Sequence, residues 1–176
     1  PPVAIFISNH QSVTDLSIVG ERCPRRCVCV AKRELSYWPL FGPFWTATGN
    51  IFIDRDDRAS AVASLGEGVA RLANGECSIW LFPEGTRNRT APGSLLPFKK
   101  GAFHMAVQAG VPIVVALADY QSKRIFFPEV MTPSGDLERD LQYLYECFAG
   151  VMPKRPEKLS APVKTLWEQR QAGRRE

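Results

Sequence analysis

Nowhere in the 176 residues does the chain sustain the eighteen or more apolar residues of a membrane span; its longest apolar run, residues 111–118, covers one strand. Five cysteines, Cys23, Cys27, Cys29, Cys77 and Cys147, form no C-x-x-C pair, and only two histidines are available to complete a zinc set. A reduced, cytosol-facing domain without a bound metal is expected from that pattern. There is no Gly-x-Ser-x-Gly elbow for a serine nucleophile, and no cysteine shares a motif with a histidine. Gly66-Glu67-Gly68 places Arg71 where a dinucleotide fingerprint needs its third glycine, which excludes that cofactor loop. No repeat, low-complexity tract or basic run of nucleic-acid type is present. The excess of Lys and Arg over Asp and Glu, 22 to 18, suits an anionic small molecule or an anionic membrane surface, not nucleic acid. Asn88-Arg89-Thr90 matches the glycosylation sequon and is read as unused.

What the chain does have is 45% hydrophobic residues, enough for one domain with a substantial core and too little length for two. Apolar segments at 3–7, 26–31, 50–53, 77–82, 111–117 and 125–127 read as strands. Between them, Val62, Leu65, Val69 and Leu72 recur at helical spacing before the Asn74-Gly75 stop, and further helices are expected from about 101 to 109, around Leu137, Leu141, Leu144 and Phe148, and from Leu159 onward. Strands alternating with helices predict a single-domain α/β fold, with a mostly parallel central sheet flanked by helices. The chain opens on Pro1-Pro2 and enters a strand almost at once, so an upstream membrane-associating segment is expected to be missing.

The stretch Asn9-His10-Gln11-Ser12-Val13-Thr14-Asp15 lies where the first strand runs out. Five steps of about 100° would put His10 and Asp15 roughly 140° apart on one helix, so His10 must precede the helix. Ser12 to Asp15 has capping-box spacing, with Ser12 as N-cap and Asp15 at N3, from where its carboxylate can reach back to the histidine. Two readings stay open on these residues alone: a base with its orienting acid, or a capping acid beside an ordinary loop histidine. Two more polar clusters, Asp54-Arg55 and Glu84 with Arg87, also follow apolar strands directly. In open α/β sheets ligands bind outside the carboxyl ends of the strands, so the three clusters are expected at one edge with the active site. Residues 36–49 carry Tyr37, Trp38, Phe41, Phe44 and Trp45, broken by Pro39, Gly42 and Pro43. They are read either as core packing by broken helices or as an acyl-chain wall or membrane-facing patch.

Four blocks, NHQSVTD, GNIFIDR, FPEGTR and VPIVVA, stand in the order and at the spacing of the 1-acylglycerol-3-phosphate (lysophosphatidic acid) acyltransferases, which the chain resembles over residues 3–118. The last block departs slightly, with Val115-Ala116 where the family often has Pro-Val. The resemblance implies transfer of a fatty acyl group from an acyl thioester, acyl-carrier protein or acyl-CoA, to the 2-hydroxyl of lysophosphatidate, giving phosphatidate on the cytoplasmic face of a membrane. It implies His10 as general base with Asp15 fixing its tautomer, and Arg55 and Arg87 on the substrate phosphate. Glu84, Gly85 and Thr86 are implied as substrate-positioning residues, and Lys100, with Lys99, is a weaker phosphate candidate. The chemistry agrees: a neutral imidazole suits removal of a hydroxyl proton near neutral pH, and a thiolate leaves readily, so no cofactor or metal is required. Asp54 is expected to be structural, pairing with Arg55, and His104 to be non-catalytic. Three rivals remain: acylation of another lyso-lipid such as lyso-ornithine lipid, a metal-dependent phosphoesterase using His10, Asp15, Asp54 and Glu84, and a lipid-binding module without catalysis.

Overall fold

The computed structural model describes residues 3–12, 15–88, 94–119 and 124–151. In chain order these form β1 (Ile5–Ser8), α1 (Asp15–Arg22), β2 (Cys27–Lys32), a 3-10 turn (Arg33–Tyr37), α2 (Phe41–Ala47), β3 (Ile51–Ile53), α3 (Arg58–Ala73), β4 (Ser78–Leu81), α4 (Gly101–Ala109), β5 (Ile113–Asp119), β6 (Arg124–Met131) and α5 (Leu137–Val151). The strands make one sheet in the order β3-β2-β4-β1-β5-β6. The first five run parallel, and β6 closes one edge antiparallel to β5.

Strand order and handedness together decide which helix lies on which face. Crossovers between parallel strands are right-handed, so connections moving in opposite directions along a sheet must cover opposite faces. Those from β1 to β2 and from β2 to β3 move one way; those from β3 to β4 and from β4 to β5 move the other. The core divides accordingly. Ile5, Ile7, Ile79, Leu81, Ile113 and Val115 face Leu72 of α3, Phe103 and Met105 of α4, and Leu144 and Phe148 of α5. The alternate residues Ala4, Phe6, Trp80, Val114 and Ala116 face Val19 of α1. Both faces are apolar, which is why the strands carry continuous hydrophobic runs.

Local signals set the helix ends. Asp57 caps α3, its Oδ1 accepting from the amides of Ala59 (2.9 Å) and Ser60 (3.1 Å). Gly110, at φ 65°, closes α4 in the left-handed region. Gly68, in the stretch that fails as a nucleotide loop, serves packing: a Cβ there would stand 3.0 Å from methyls of Ile51, Ile79 and Met105.

The expected second strand is displaced by one residue, to Cys27–Lys32. The expected strand at 125–127 extends over Arg124–Met131, with Pro128 tolerated because β6 is an edge strand and its register with β5 shifts between Val115 and Leu117. Residues 36–49 are neither all core nor all surface. Trp45 is buried, while Tyr37, Trp38, Leu40 and Phe44 project into solvent, Leu40 at 89% exposure. Leu40 holds φ 64°, and Gly42 lies so close to Ser36 that a Cβ would meet its carbonyl oxygen at 1.9 Å, so the exposed tip has a tightly constrained backbone. The helix expected from Leu159 lies outside the described residues.

Candidate active site

At the carboxyl edge β1 and β4 are neighbours, and their outgoing connections leave for opposite faces of the sheet. That divergence opens the crevice in which α/β sheets bind ligands. The first and third motif blocks flank it. Asn9, fully buried beyond the end of β1, extends the sheet by one side-chain rung: its Nδ2 donates to the Ala118 carbonyl (3.0 Å) and its Oδ1 accepts from the Ala118 amide (2.9 Å). Ser8 accepts from the Trp80 indole N–H at 2.8 Å. The backbone entering His10 is therefore tied to both neighbouring strands.

His10 is then held in three further ways. Its Nδ1 lies 2.6 Å from Asp15 Oδ2, its backbone amide donates to Glu84 Oε1 at 2.8 Å, and its ring stacks on Phe82 with centroids 4.1 Å apart. Asp15 is 2% exposed, and its carboxylate also accepts from the amides of Gln11 (2.9 Å) and Ser12 (3.2 Å). The reach from Asp15 back to the Ser12 amide is one half of the expected capping box. An acceptor-only carboxylate at Nδ1 assigns that nitrogen the proton in a neutral imidazole, which leaves Nε2 as the basic atom. The side chain is 22% exposed, enough for a ligand to reach it.

Glu84 occupies the turn after β4, where the Gly85 amide donates to the Phe82 carbonyl at 3.0 Å. It is buried, and each oxygen accepts one backbone amide, Oε1 that of His10 and Oε2 that of Leu96 (2.8 Å). Burial pushes its carboxyl above the usual range, against the pull of those two donors and of the nearby His10. Gly85 has φ 71°, and a Cβ on it would stand 2.8 Å from Cε of Lys99, whose side chain lies over the turn. The structure thus brings Lys99 to the motif, while Lys100 stands exposed at the start of α4. Thr86 is exposed and Arg87 half-buried in the same loop.

Arg55 follows β3, three strand positions from β1 and so about 14 Å away along the sheet edge. It is exposed and does not pair with Asp54, contrary to expectation; Asp54 Oδ1 accepts the Asp56 amide (3.1 Å) in a local turn instead. Among the described residues neither Arg55 nor Arg87 has an ion pair. His104 is exposed on α4. The four residues of the phosphoesterase reading do not converge: Asp54 sits at the β3 end, the carboxylates of Asp15 and Glu84 are engaged by backbone amides, and no group of three potential ligands occurs among the described residues. Asn9, Phe82 and Tyr145, which contacts the Leu96 segment, are the site residues that sequence reasoning missed. Only Asn9 and Phe82 carried a signal, as members of the first and third blocks.

A histidine held by a carboxylate on a strand-to-helix loop, beside a Pro-Glu-Gly-Thr-Arg turn, belongs to a known class. The family model described as Acyltransferase matches residues 2–117, and the chain belongs to that family. Among curated proteins it is similar to the 1-acyl-sn-glycerol-3-phosphate acyltransferase of Escherichia coli (strain K12), with 42% identity over 122 residues, 69% of this chain and 49% of that one. It is also similar to the human 1-acyl-sn-glycerol-3-phosphate acyltransferase alpha, 47% identical over 118 residues, 66% of this chain and 41% of that one. The Saccharomyces cerevisiae enzyme of the same name is 43% identical over 110 residues, 62% of this chain and 36% of that one. The chain spans half or less of the length of these relatives. The crystal structure of the 1-acyl-sn-glycerophosphate (LPA) acyltransferase PlsC from Thermotoga maritima superposes with a TM-score of 0.63 at 25% identity, covering 97% of this chain and 67% of that one.

Proposed function

We propose that this chain is the acyl-transfer domain of a 1-acylglycerol-3-phosphate acyltransferase, moving a fatty acyl group from an acyl thioester to the 2-hydroxyl of lysophosphatidate. The observation that carries the reading is the His10–Asp15 pair, which presents Nε2 at the β1/β4 crevice beside the Glu84-to-Arg87 turn. As the hydroxyl oxygen attacks the thioester carbonyl carbon, its proton passes to His10 Nε2, and Asp15 stabilises the resulting imidazolium. The tetrahedral intermediate collapses with cleavage of the C–S bond; the thiolate departs and takes the proton back from His10, leaving phosphatidate and a free thiol. Glu84 holds the His10 backbone, Arg87 and Arg55 bind phosphate, and Lys99 adds positive charge over Gly85.

The acceptor is a lipid, and the acyl donor is an acyl-carrier protein or acyl-CoA. No helix among the described residues is long and apolar enough to cross a membrane. The constrained tip bearing Tyr37, Trp38, Leu40 and Phe44 follows β2, at the same sheet edge as His10, and is the surface assigned to the membrane, at its cytoplasmic face. Mass spectrometry of products from lysophosphatidate, lyso-ornithine lipid and monoacylglycerol, with acyl-CoA and acyl-carrier protein supplied in turn, tests the proposal. Phosphatidate as the dominant product supports it. Dominant acylation of lyso-ornithine lipid would move the substrate to that class, and no product from any pair would leave a lipid-binding module.

A further inference from the structure

The family match ends at residue 117, yet α5, well beyond it, reaches back to the site through one side chain. The Tyr145 hydroxyl accepts the Phe98 amide at 2.5 Å and donates to the Leu96 carbonyl at 3.0 Å. Its ring stacks on Phe98, with centroids 4.2 Å apart and planes inclined by 16°. In the same residue as the gripped Leu96 carbonyl, the Leu96 amide donates to Glu84 Oε2, and the other oxygen of Glu84 accepts the amide of His10. The links form one unbroken chain: Tyr145 hydroxyl, Leu96–Phe98 backbone, Glu84 carboxylate, His10 backbone.

We infer that Tyr145 is a positioning residue for acyl transfer, fixing the Leu96–Phe98 segment so that the Glu84 carboxyl stays aimed at the His10 amide. The inference rests on the proposed function, since it concerns the same histidine. Residues 94–100 have no regular secondary structure, so nothing in a helix or sheet ladder supports them at this point. A buried carboxylate with two amide donors depends on both of them. If the Leu96 donor drifts, the remaining charge is less well compensated and Glu84 takes up a proton at higher pH. Among the described residues, the ionisable groups near Glu84 are His10 and Asp15 from the first motif, Tyr145 from α5 and Lys99 over Gly85. Of these, Tyr145 alone acts by holding the backbone that donates to Glu84.

The test is Tyr145→Phe in the full chain, which keeps the ring stacked on Phe98 and removes only the hydroxyl. Losing one such hydrogen-bonding group should lower kcat about three- to tenfold, with the acceptor KM unchanged. The acid limb of the kcat–pH profile should move to higher pH, and amide hydrogen exchange at Leu96 and His10 should quicken. Tyr143→Phe is the control on the same helix: the Tyr143 hydroxyl lies near Glu129 of β6 and Cys147 of α5 and makes no hydrogen bond to the Leu96–Phe98 segment among the described residues, so kcat and the acid limb should stay as in the parent. A Tyr145→Phe protein with parental kcat, acid limb and exchange rates would overturn the inference, as would an equal kcat loss in Tyr143→Phe. A raised acceptor KM at unchanged kcat would also overturn it, because it would put Tyr145 on the substrate. If the parent itself transfers no acyl group, the proposed function fails; the exchange rates still decide whether Tyr145 holds the Glu84–His10 link.

Discussion

Replacing Glu84 by Gln should separate stability from activity. The parent carboxylate is buried and accepts one amide on each oxygen, His10 on Oε1 and Leu96 on Oε2, both at 2.8 Å. Glutamine keeps one acceptor and turns an amino group towards the other donor, a mismatch of about 1–3 kcal/mol. Against this, the substitution removes a charge whose burial already pushes the Glu84 carboxyl above its ordinary range. The sign of the pH dependence follows. The folded chain holds this proton to higher pH than the unfolded chain, so the parent loses stability as pH rises from about 4.3 through the folded value, at about 1.4 kcal/mol for each unit of elevation. Glutamine does not titrate, so the stability advantage of parent over variant should shrink as pH rises and then level off. At neutral pH denaturant melts should place the two within about 1–2 kcal/mol of each other, while kcat falls about tenfold or more because the His10 backbone has lost a charged partner. Urea melts of both proteins from acid to neutral pH, paired with acyl-transfer rates, provide the readout. An advantage that widens with pH would show that the carboxylate stabilises the fold outright, and the burial argument would be wrong.

His10→Ala should lower turnover by about 10²- to 10⁴-fold with little change in stability, and more than about a tenth of parental activity would remove it as the base. Asp15→Asn should also be severe, because an amide in place of the carboxylate no longer sets the tautomer; proton-detected NMR of the ring should show the proton leaving Nδ1. Arg87→Ala should weaken lysophosphatidate binding by roughly ten- to a hundredfold, with Arg87→Lys a partial rescue and a phosphate-free monoacylglycerol indifferent to either; equal losses on both acceptors would withdraw the assignment. Trp38→Glu should reduce binding to anionic liposomes without affecting the fold. Trp45→Glu should destabilise the domain by several kcal/mol, about the cost of losing a core aromatic, and unchanged liposome binding by Trp38→Glu would free the tip from its membrane role.

The strands were legible because both faces of the sheet are covered, which writes a buried run such as Ile79-Trp80-Leu81 directly into the sequence. The His10–Asp15 pair was legible because both partners lie within five residues and helix geometry limits how they can meet. The contacts of Asn9 and Tyr145 were not, since their partners are 109 and 49 residues away; the first block marks Asn9 but not its use as a strand rung, and nothing local marks Tyr145 as the clamp of a remote loop. The aromatic segment defeated periodicity for a different reason. Leu40 takes a positive φ of 64° in a tight turn between Trp38 and Trp45, with the Phe41 amide donating to the Pro39 carbonyl, which resets the helical phase, so two tryptophans seven residues apart end one exposed and one buried. Lys99 and Lys100 show the same limit at closer range. Only the bare backbone of Gly85, at φ 71°, leaves room for the Lys99 side chain, and that pairing depends on how the turn folds over it.

Strand order, too, was beyond any motif, and it makes the two arginines unequal. Arg55 stands two residues beyond β3 and Arg87 in the loop that follows β4, each closing its motif block, so by sequence they look like equivalent members of matching clusters. In the sheet, β4 adjoins β1, about 5 Å away, whereas β3 lies beyond both β2 and β4. On the proposed function, a phosphate on the same short glycerol as the reacting hydroxyl would be held near β4 whenever that hydroxyl is at His10, close to Arg87 and to Lys99 above Gly85. Arg55 meets the same phosphate only by extending its side chain back across the ends of two strands. Its exposed position instead borders the 3-10 turn after β2 that leads into the apolar tip. On the same proposal, charge on that side of the sheet edge would act where a lipid enters, before its phosphate has settled beside β4. Removing Arg55 should consequently cost less acceptor affinity than removing Arg87, although the two residues occupy matching places in their motifs.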